Sequence, residues 1–212
     1  MNPATILTMA NGKGIDLFDP KPEDIDFAVV AEHLAKECRY NGATPGVFYS
    51  VAEHSVRGAK AILAHNLDHR LAAYFLVHDC HEGFLKDDTT PKKQLVAEIA
   101  ETSFGTLAGH VRSAFDLATY RFDKVIHDAA GLAWPPDSGL QAALKRWDLI
   151  MFMTEWRDLM RDIPHPNPAP YSGIKPLPDR IEPYLDWRDA MAEYIAVARA
   201  ILPALQRQAE AL

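Results

Sequence analysis

Two imidazoles and two carboxylates stand in this chain where they could share one cation: His54 in FYSVAEHS, the adjacent pair His78-Asp79 in YFLVHDCHEGF, and Asp148 in KRWDLIMF. Neighbouring His and Asp side chains can both reach a single divalent ion. A mixed set of nitrogen and oxygen donors suits a borderline or fairly hard cation such as Mn²⁺, Co²⁺, Fe²⁺ or Zn²⁺. Four protein ligands leave positions open on an ion that prefers six. At open positions a water loses its proton more readily and a phosphoryl oxygen is polarised, which are the two requirements of metal-assisted hydrolysis. The expected cofactor is therefore one divalent metal ion in a catalytic rather than a structural centre.

Three separate segments must bring these residues together, and each carries a helical signal. Ser50-Val51-Ala52-Glu53 matches the S-x-x-E capping box, which starts a helix and puts His54 in its first turn. Leu71, Tyr74, Phe75 and His78 recur at i, i+3, i+4 and i+7, so His78 points where core residues point. Leu140, Leu144, Trp147, Met151 and Thr154 form another stripe with Asp148 inside it. A carboxylate buried there without a partner would cost several kcal/mol, so Asp148 calls for a cation or an ion pair.

The rest of the chain has the same helical period. The first 20 residues, with Gly12, Gly14 and Pro20, read as an irregular or short extended arm. A helix follows over PEDIDFAVVAEHLAKECR, with Pro22 near its first turn and Ile25, Val29 and Leu34 on one face. Gly42, Pro45 and Gly46 break the pattern into a loop, and the helical stretches after Pro91 are interrupted near Gly105 or Gly109. PPDSG breaks the chain again, and residues 164–178 hold too many prolines for anything but a loop. From IEPYLDW a long last helix runs to Pro203, which kinks or ends it. The prediction is an all-α single domain over residues 1–212, a helical bundle without internal repeats.

Composition sets the outer bounds. A chain of 212 residues with 48% hydrophobic content can bury one sizeable core. A net charge of −7 argues against general nucleic-acid binding, which needs positive surface against backbone phosphates, and leaves small phosphorylated molecules as partners. No apolar run is long enough to span a bilayer, and the amino terminus lacks a basic start followed by an apolar stretch, so no membrane association and a cytoplasmic location are expected. Cys38 and Cys80 make neither a thiolate zinc pair nor a disulfide framework. A second His-Asp pair, His127-Asp128, lacks the acidic residues and the Pro-Lys segment that follow the first, and reads as packing or surface. His81 stays open between site and surface.

Taken jointly, Arg39, His54, His78-Asp79, Glu82, Asp87 and Asp148 follow an order that resembles the HD-domain metal-dependent phosphohydrolases over most of residues 35 to 160. The likeness is greater to the branch of bacterial 5′-deoxynucleotidases and related phage deoxynucleotide hydrolases. In that branch an Arg precedes the first His by 15 positions, as Arg39 precedes His54. A Glu, an Asp and a Thr-Pro-x-Lys segment follow the His-Asp pair, here Glu82, Asp87 and Thr90-Pro91-Lys92-Lys93.

The resemblance implies an HD-type helical bundle with a mononuclear site ligated by His54, His78, Asp79 and Asp148. It implies that Glu82 orients or deprotonates the attacking water, that Arg39 and Lys93 hold phosphate oxygens, and that Asp87 meets the sugar or assists proton transfer. Tyr40 stands where the closest 5′-deoxynucleotidases carry a Trp that packs on the sugar, which keeps aromatic contact and leaves the choice of deoxyribose over ribose open. The expected activity is removal of the 5′-phosphate from (deoxy)nucleoside monophosphates. Two alternatives share the architecture: a deoxynucleoside triphosphate triphosphohydrolase, for which Lys92 and Lys93 together speak, and a non-catalytic domain for ligand binding or assembly. Dimers or larger rings are the habit of the resembling branch, and the apolar face of the last helix could serve a homo-oligomer or close the monomer's own core.

Overall fold

Short polar side chains set where the helices begin. The computed structural model describes residues 3–65, 68–105, 108–160 and 163–210. Helix α1 (Phe27–Lys36) starts where the Asp26 carboxylate accepts from the N–H of Ala28, and α2 (Val51–Ala64) where Ser50 accepts from the N–H of Glu53. Asp68, Asp137 and Asp186 do the same for α3 (His69–Val77), α7 (Ser138–Leu159) and α8 (Trp187–Ile201). Each such cap satisfies a donor stranded at a helix start and contributes about 1 kcal/mol.

The helix expected from Pro22 is therefore shorter than its periodicity suggested. Pro22–Asp24 form a single 3-10 turn, Ile25 lies outside the helix, and α1 waits for the Asp26 cap. At the other end, the last helix starts not in IEPYLD but at Trp187, again at its capping aspartate. Pro203 ends α8 and opens α9 (Pro203–Glu210). The capping box at Ser50 is only half made, because the Glu53 carboxylate turns away to Arg57 and to the N–H of Tyr184. The extended arm is a small antiparallel hairpin of β1 (Ile6–Thr8) and β2 (Gly14–Asp16), in register through Leu7 and Ile15.

Helices α1, α2, α3 and α8 pack on one another, and α7 crosses α2 and α3. Their shared core holds Leu34, Val56, Ile62, Phe75, Leu76, Tyr194 and Leu202, with Phe122 and Ile126 supplied by the second half of α6 (Ala108–Ala130). The described residues thus form a predominantly all-α single domain. Helix α5 (Thr90–Phe104) ends at Gly105, whose φ of 75° suits glycine, and packs against α6. It buries only Ala97 and Ala100. Between α3 and α5 lies α4 (Glu82–Leu85), a single turn. No described helix is long and apolar enough to cross a membrane.

Candidate metal centre

Helix α2 places His54 at the end of its first turn, fully buried, while His78 caps the end of α3 and α7 carries Asp148. The His54 and His78 Nε2 atoms are 3.5 Å apart. Asp148 Oδ1 lies 3.5 Å from the first and 3.8 Å from the second. Asp79 Oδ2 lies 3.2 Å from His78 Nε2 and 3.8 Å from His54 Nε2. Donors about 2.1 Å from a common ion sit about 3.0–3.4 Å apart at adjacent positions, so the separations among His54, His78 and Asp148 are within a few tenths of an ångström of such a shell. The donor atoms of His54, His78 and Asp148 all lie within 4.8 Å of one another and could hold a metal ion.

The far sides of both rings explain why their Nε2 atoms face inward, where each would offer its lone pair to a cation once the imidazole is neutral. His54 Nδ1 donates to Glu155 Oε1 at 2.6 Å, and His78 Nδ1 donates to the carbonyl of Phe75 at 2.6 Å. The two ring nitrogens and the Asp148 carboxylate thus converge on one point, with Asp79 Oδ2 beside both rings but outside that mutual set, and these donor types fit a cation. The same surplus of negative charge shows in His78: burial works against its charged form, but Asp79 and Asp148 outweigh burial and push it up to about 9. Asp148 is the open edge of the cluster, with a side chain 43% exposed against 0% for His54.

Sequence reasoning missed Glu155. Its carboxylate is wholly buried and receives Tyr40 Oη at 2.6 Å, Tyr49 Oη at 3.1 Å and Arg39 Nε at 3.2 Å besides His54. Burial opposes its ionisation, yet Arg39, His54 and Tyr40 hold it down at about 2. The signal was present, since Glu155 follows Met151 and Thr154 on the buried stripe of α7 and is as anomalous there as Asp148.

Arg39 and Tyr40 sit in a loop clasped at its base, where Arg39 N–H donates to the Tyr49 carbonyl and Val51 N–H to the Glu37 carbonyl. The Arg39 guanidinium also donates to Asp79 Oδ2 at 3.4 Å. Tyr40 turns its hydroxyl to Glu155 and its ring to Phe152 and Trp156, with centroids at 6.1 and 6.0 Å. A Trp at this place could not make that hydroxyl contact.

Glu82 opens α4, and its Oε2 is buried without a hydrogen-bond partner. Burial, then the charges of Asp79 and Asp87, push its carboxyl up to about 9. Together with His81, Lys93 and Thr119 it lines a cavity of about 220 Å³ beside the cluster. Lys92 is engaged by Asp88. Asp87, its N–H donating to Glu37, is raised by burial despite Arg39 nearby. A larger cavity of about 930 Å³, between the N-terminal arm and α6, holds none of these residues. His81 Nδ1 donates to Asp123 Oδ1 at 3.0 Å, and His127 is buried against Trp134 at 4.4 Å, its Nδ1 donating to the Asp123 carbonyl, a packing role. Cys80 is buried against the Tyr194 hydroxyl.

The raised Glu82 value has a stability consequence. Between the ordinary 4.5 and about 9 the folded chain holds a proton that the unfolded chain has released, so this group's contribution falls as pH rises through that window. In chelator-treated protein, Glu82→Gln is expected to flatten the fall. Urea unfolding at several pH values from about 5 to about 9 should show the variant gaining on the native chain as pH rises, and a constant difference would refute the burial of Glu82 as a neutral acid.

Among the described residues, positive φ at non-glycine positions occurs at Tyr40, Asn41 and Lys86, which adjoin Arg39 and Asp87. Lys86, at φ 75° and ψ 160°, occupies a region that suits only glycine, at a cost of about 1–3 kcal/mol. Its exposed pair with Glu37 offsets little of this. Lys86→Gly is therefore expected to raise unfolding stability by about 1 kcal/mol after glycine's greater unfolded-state entropy, as read from a denaturant midpoint.

No protein-family profile matches the chain. Over 93 residues it is 38% identical to an uncharacterized protein of Rhodobacter capsulatus, a stretch that covers 42% of this chain and 47% of that protein. The chain thus spans about half the length of this relative.

Proposed function

We propose that the chain is a divalent-metal phosphohydrolase that removes the 5′-phosphate from (deoxy)nucleoside monophosphates, with His54, His78, Asp79 and Asp148 as ligands. The observation that carries the reading is the convergence of the His54, His78 and Asp148 donor atoms next to an arginine and a buried, unpartnered carboxyl. A cation held there would polarise a phosphoryl oxygen and make a water more acidic.

The chain's own groups supply the remainder. Arg39 commits two of its five N–H donors to Glu155 and Asp79, and the others are available to phosphate oxygens. Burial, Asp79 and Asp87 outweigh Arg39 and His78 and push the Glu82 carboxyl up; added positive charge beside Asp79 would lower it again, making Glu82 a base that can take a proton from water. Lys93, which lines the same cavity as Glu82, would meet a phosphate oxygen, and Asp87 would meet the sugar or pass on a proton. Tyr40 offers its ring, its hydroxyl being spent on Glu155.

Lys92 pairs with Asp88 on the surface and does not line the cavity that Glu82 and Lys93 share, which supports the monophosphate over the triphosphate reading. The test is a panel of nucleoside mono- and triphosphates with Mn²⁺ or Co²⁺ and product identification. Orthophosphate from monophosphates supports the proposal, and tripolyphosphate from triphosphates would replace it with the alternative. Absence of metal-dependent release from every nucleotide would overturn both in favour of a binding or assembly domain.

A further inference from the structure

Glu155 is a buried carboxylate bonded to both His54 and Arg39, and its four bonds are unequal in consequence. A carboxylate can only accept, so His54 Nδ1 must carry the hydrogen of the 2.6 Å contact and Nε2 is left with its lone pair toward His78, Asp79 and Asp148. The opposite tautomer would place an N–H among the other ligand atoms and set two lone pairs against each other at that short distance. Rotation offers no escape, because the His54 ring is fully buried and packs against both Phe75 and His78, with centroids at 5.4 and 5.3 Å. The second oxygen of Glu155 receives Arg39 Nε and the Tyr40 hydroxyl.

With four donors on about four lone-pair sites, Glu155 has nothing left for a cation or a substrate. It is thus no ligand and no base. It stands seven residues beyond Asp148 on the same face of α7, so one helix supplies both a ligand and the support of another ligand.

We propose that Glu155 is a positioning residue: it fixes the tautomer and aim of His54 for the cation and, through its other oxygen, the aim of Arg39 for an anion. Cation and anion sites are built on a single group. The inference rests on the metal centre proposed above but not on any hydrolase activity, because its readout is binding.

Mn²⁺ affinity measured by titration calorimetry on substrate-free protein tests it, with circular dichroism to establish the fold. Glu155→Gln is expected to weaken Mn²⁺ binding about 10- to 100-fold, the usual effect of losing the partner behind a metal-bound imidazole. It should also weaken the binding of inorganic phosphate to the Mn²⁺-loaded protein. Tyr49→Phe removes a donor from the same carboxylate and leaves the His54 contact, so its Mn²⁺ affinity should stay within twofold of the native value. If Glu155→Gln does not fold, Glu155→Asp keeps the charge and draws it back by one methylene from Nδ1, with the same loss expected. In Zn²⁺-loaded, ¹⁵N-labelled protein, the His54 Nδ1–H signal should be present natively and shifted or lost in either variant.

A folded Gln or Asp variant that binds Mn²⁺ as tightly as the native chain overturns the proposal. So does a Tyr49→Phe loss equal to that of Glu155→Gln, which would mean general loosening. A native chain that binds no Mn²⁺ overturns it along with the metal centre. A native chain that binds Mn²⁺ with the expected Glu155 dependence but releases no phosphate supports the positioning role and removes only the hydrolase reading.

Discussion

Asp148→Ala is expected to abolish Mn²⁺-dependent phosphate release and Mn²⁺ binding while costing the chelator-treated chain only about 1 kcal/mol of folding stability, for the lost pairing with His54 and His78. The two effects part company because of where the residue sits. Its oxygen is 3.5 Å from His54 Nε2, at the point where the donor atoms converge, yet its side chain is 43% exposed and lies at the edge of the α7 stripe. Removing it takes away a ligand without opening a core cavity, and alanine is the better helix former. Parallel measurements of phosphate release, metal affinity and urea unfolding check this. Full activity in a folded variant would remove Asp148 from the centre.

Gly58→Ala is expected to destabilise the chain by about 1–2 kcal/mol and to weaken Mn²⁺ binding, although alanine is the better residue for a helix interior. Gly58 lies one turn after His54 on α2, and a Cβ there would come to 2.0 Å from Cε1 and 2.5 Å from Cζ of Phe75. Phe75 cannot simply step aside. It is wholly buried and its ring is flanked by His54 at 5.4 Å and His78 at 4.6 Å. Displacing it pushes both imidazoles, so overpacking at a glycine without polar atoms should be felt at the ligand geometry. Denaturant unfolding in the presence of chelator and a separate Mn²⁺ titration distinguish the two effects. A variant at least as stable as the native chain, with unchanged affinity, would refute the steric account.

Much of the scaffold was legible in the chain because local rules set it. The Ser50 cap, the core-facing stripe that ends at His78, the Gly105 break and the proline-rich loop each follow from short-range chemistry, and the structure keeps them. What escaped depended on contacts distant in sequence. Glu53 answers to Arg57 and Tyr184 rather than to its own capping box. Glu155 gains its meaning from Arg39, Tyr40, Tyr49 and His54, all more than a hundred residues away. The helix starts were misplaced where periodicity was followed past the aspartates that cap them. Tyr40 was read for its ring, and only the fold shows that its hydroxyl is committed.

The donor atoms of the centre come from α2 and α3 in the first half of the chain and from α7 in the second. An ion held by all three would therefore act as a staple across the tertiary structure, pinning the late helix onto the early pair. Loading the centre and completing the fold would then be linked equilibria, and the durability of the molecule would rise and fall with the free metal concentration around it.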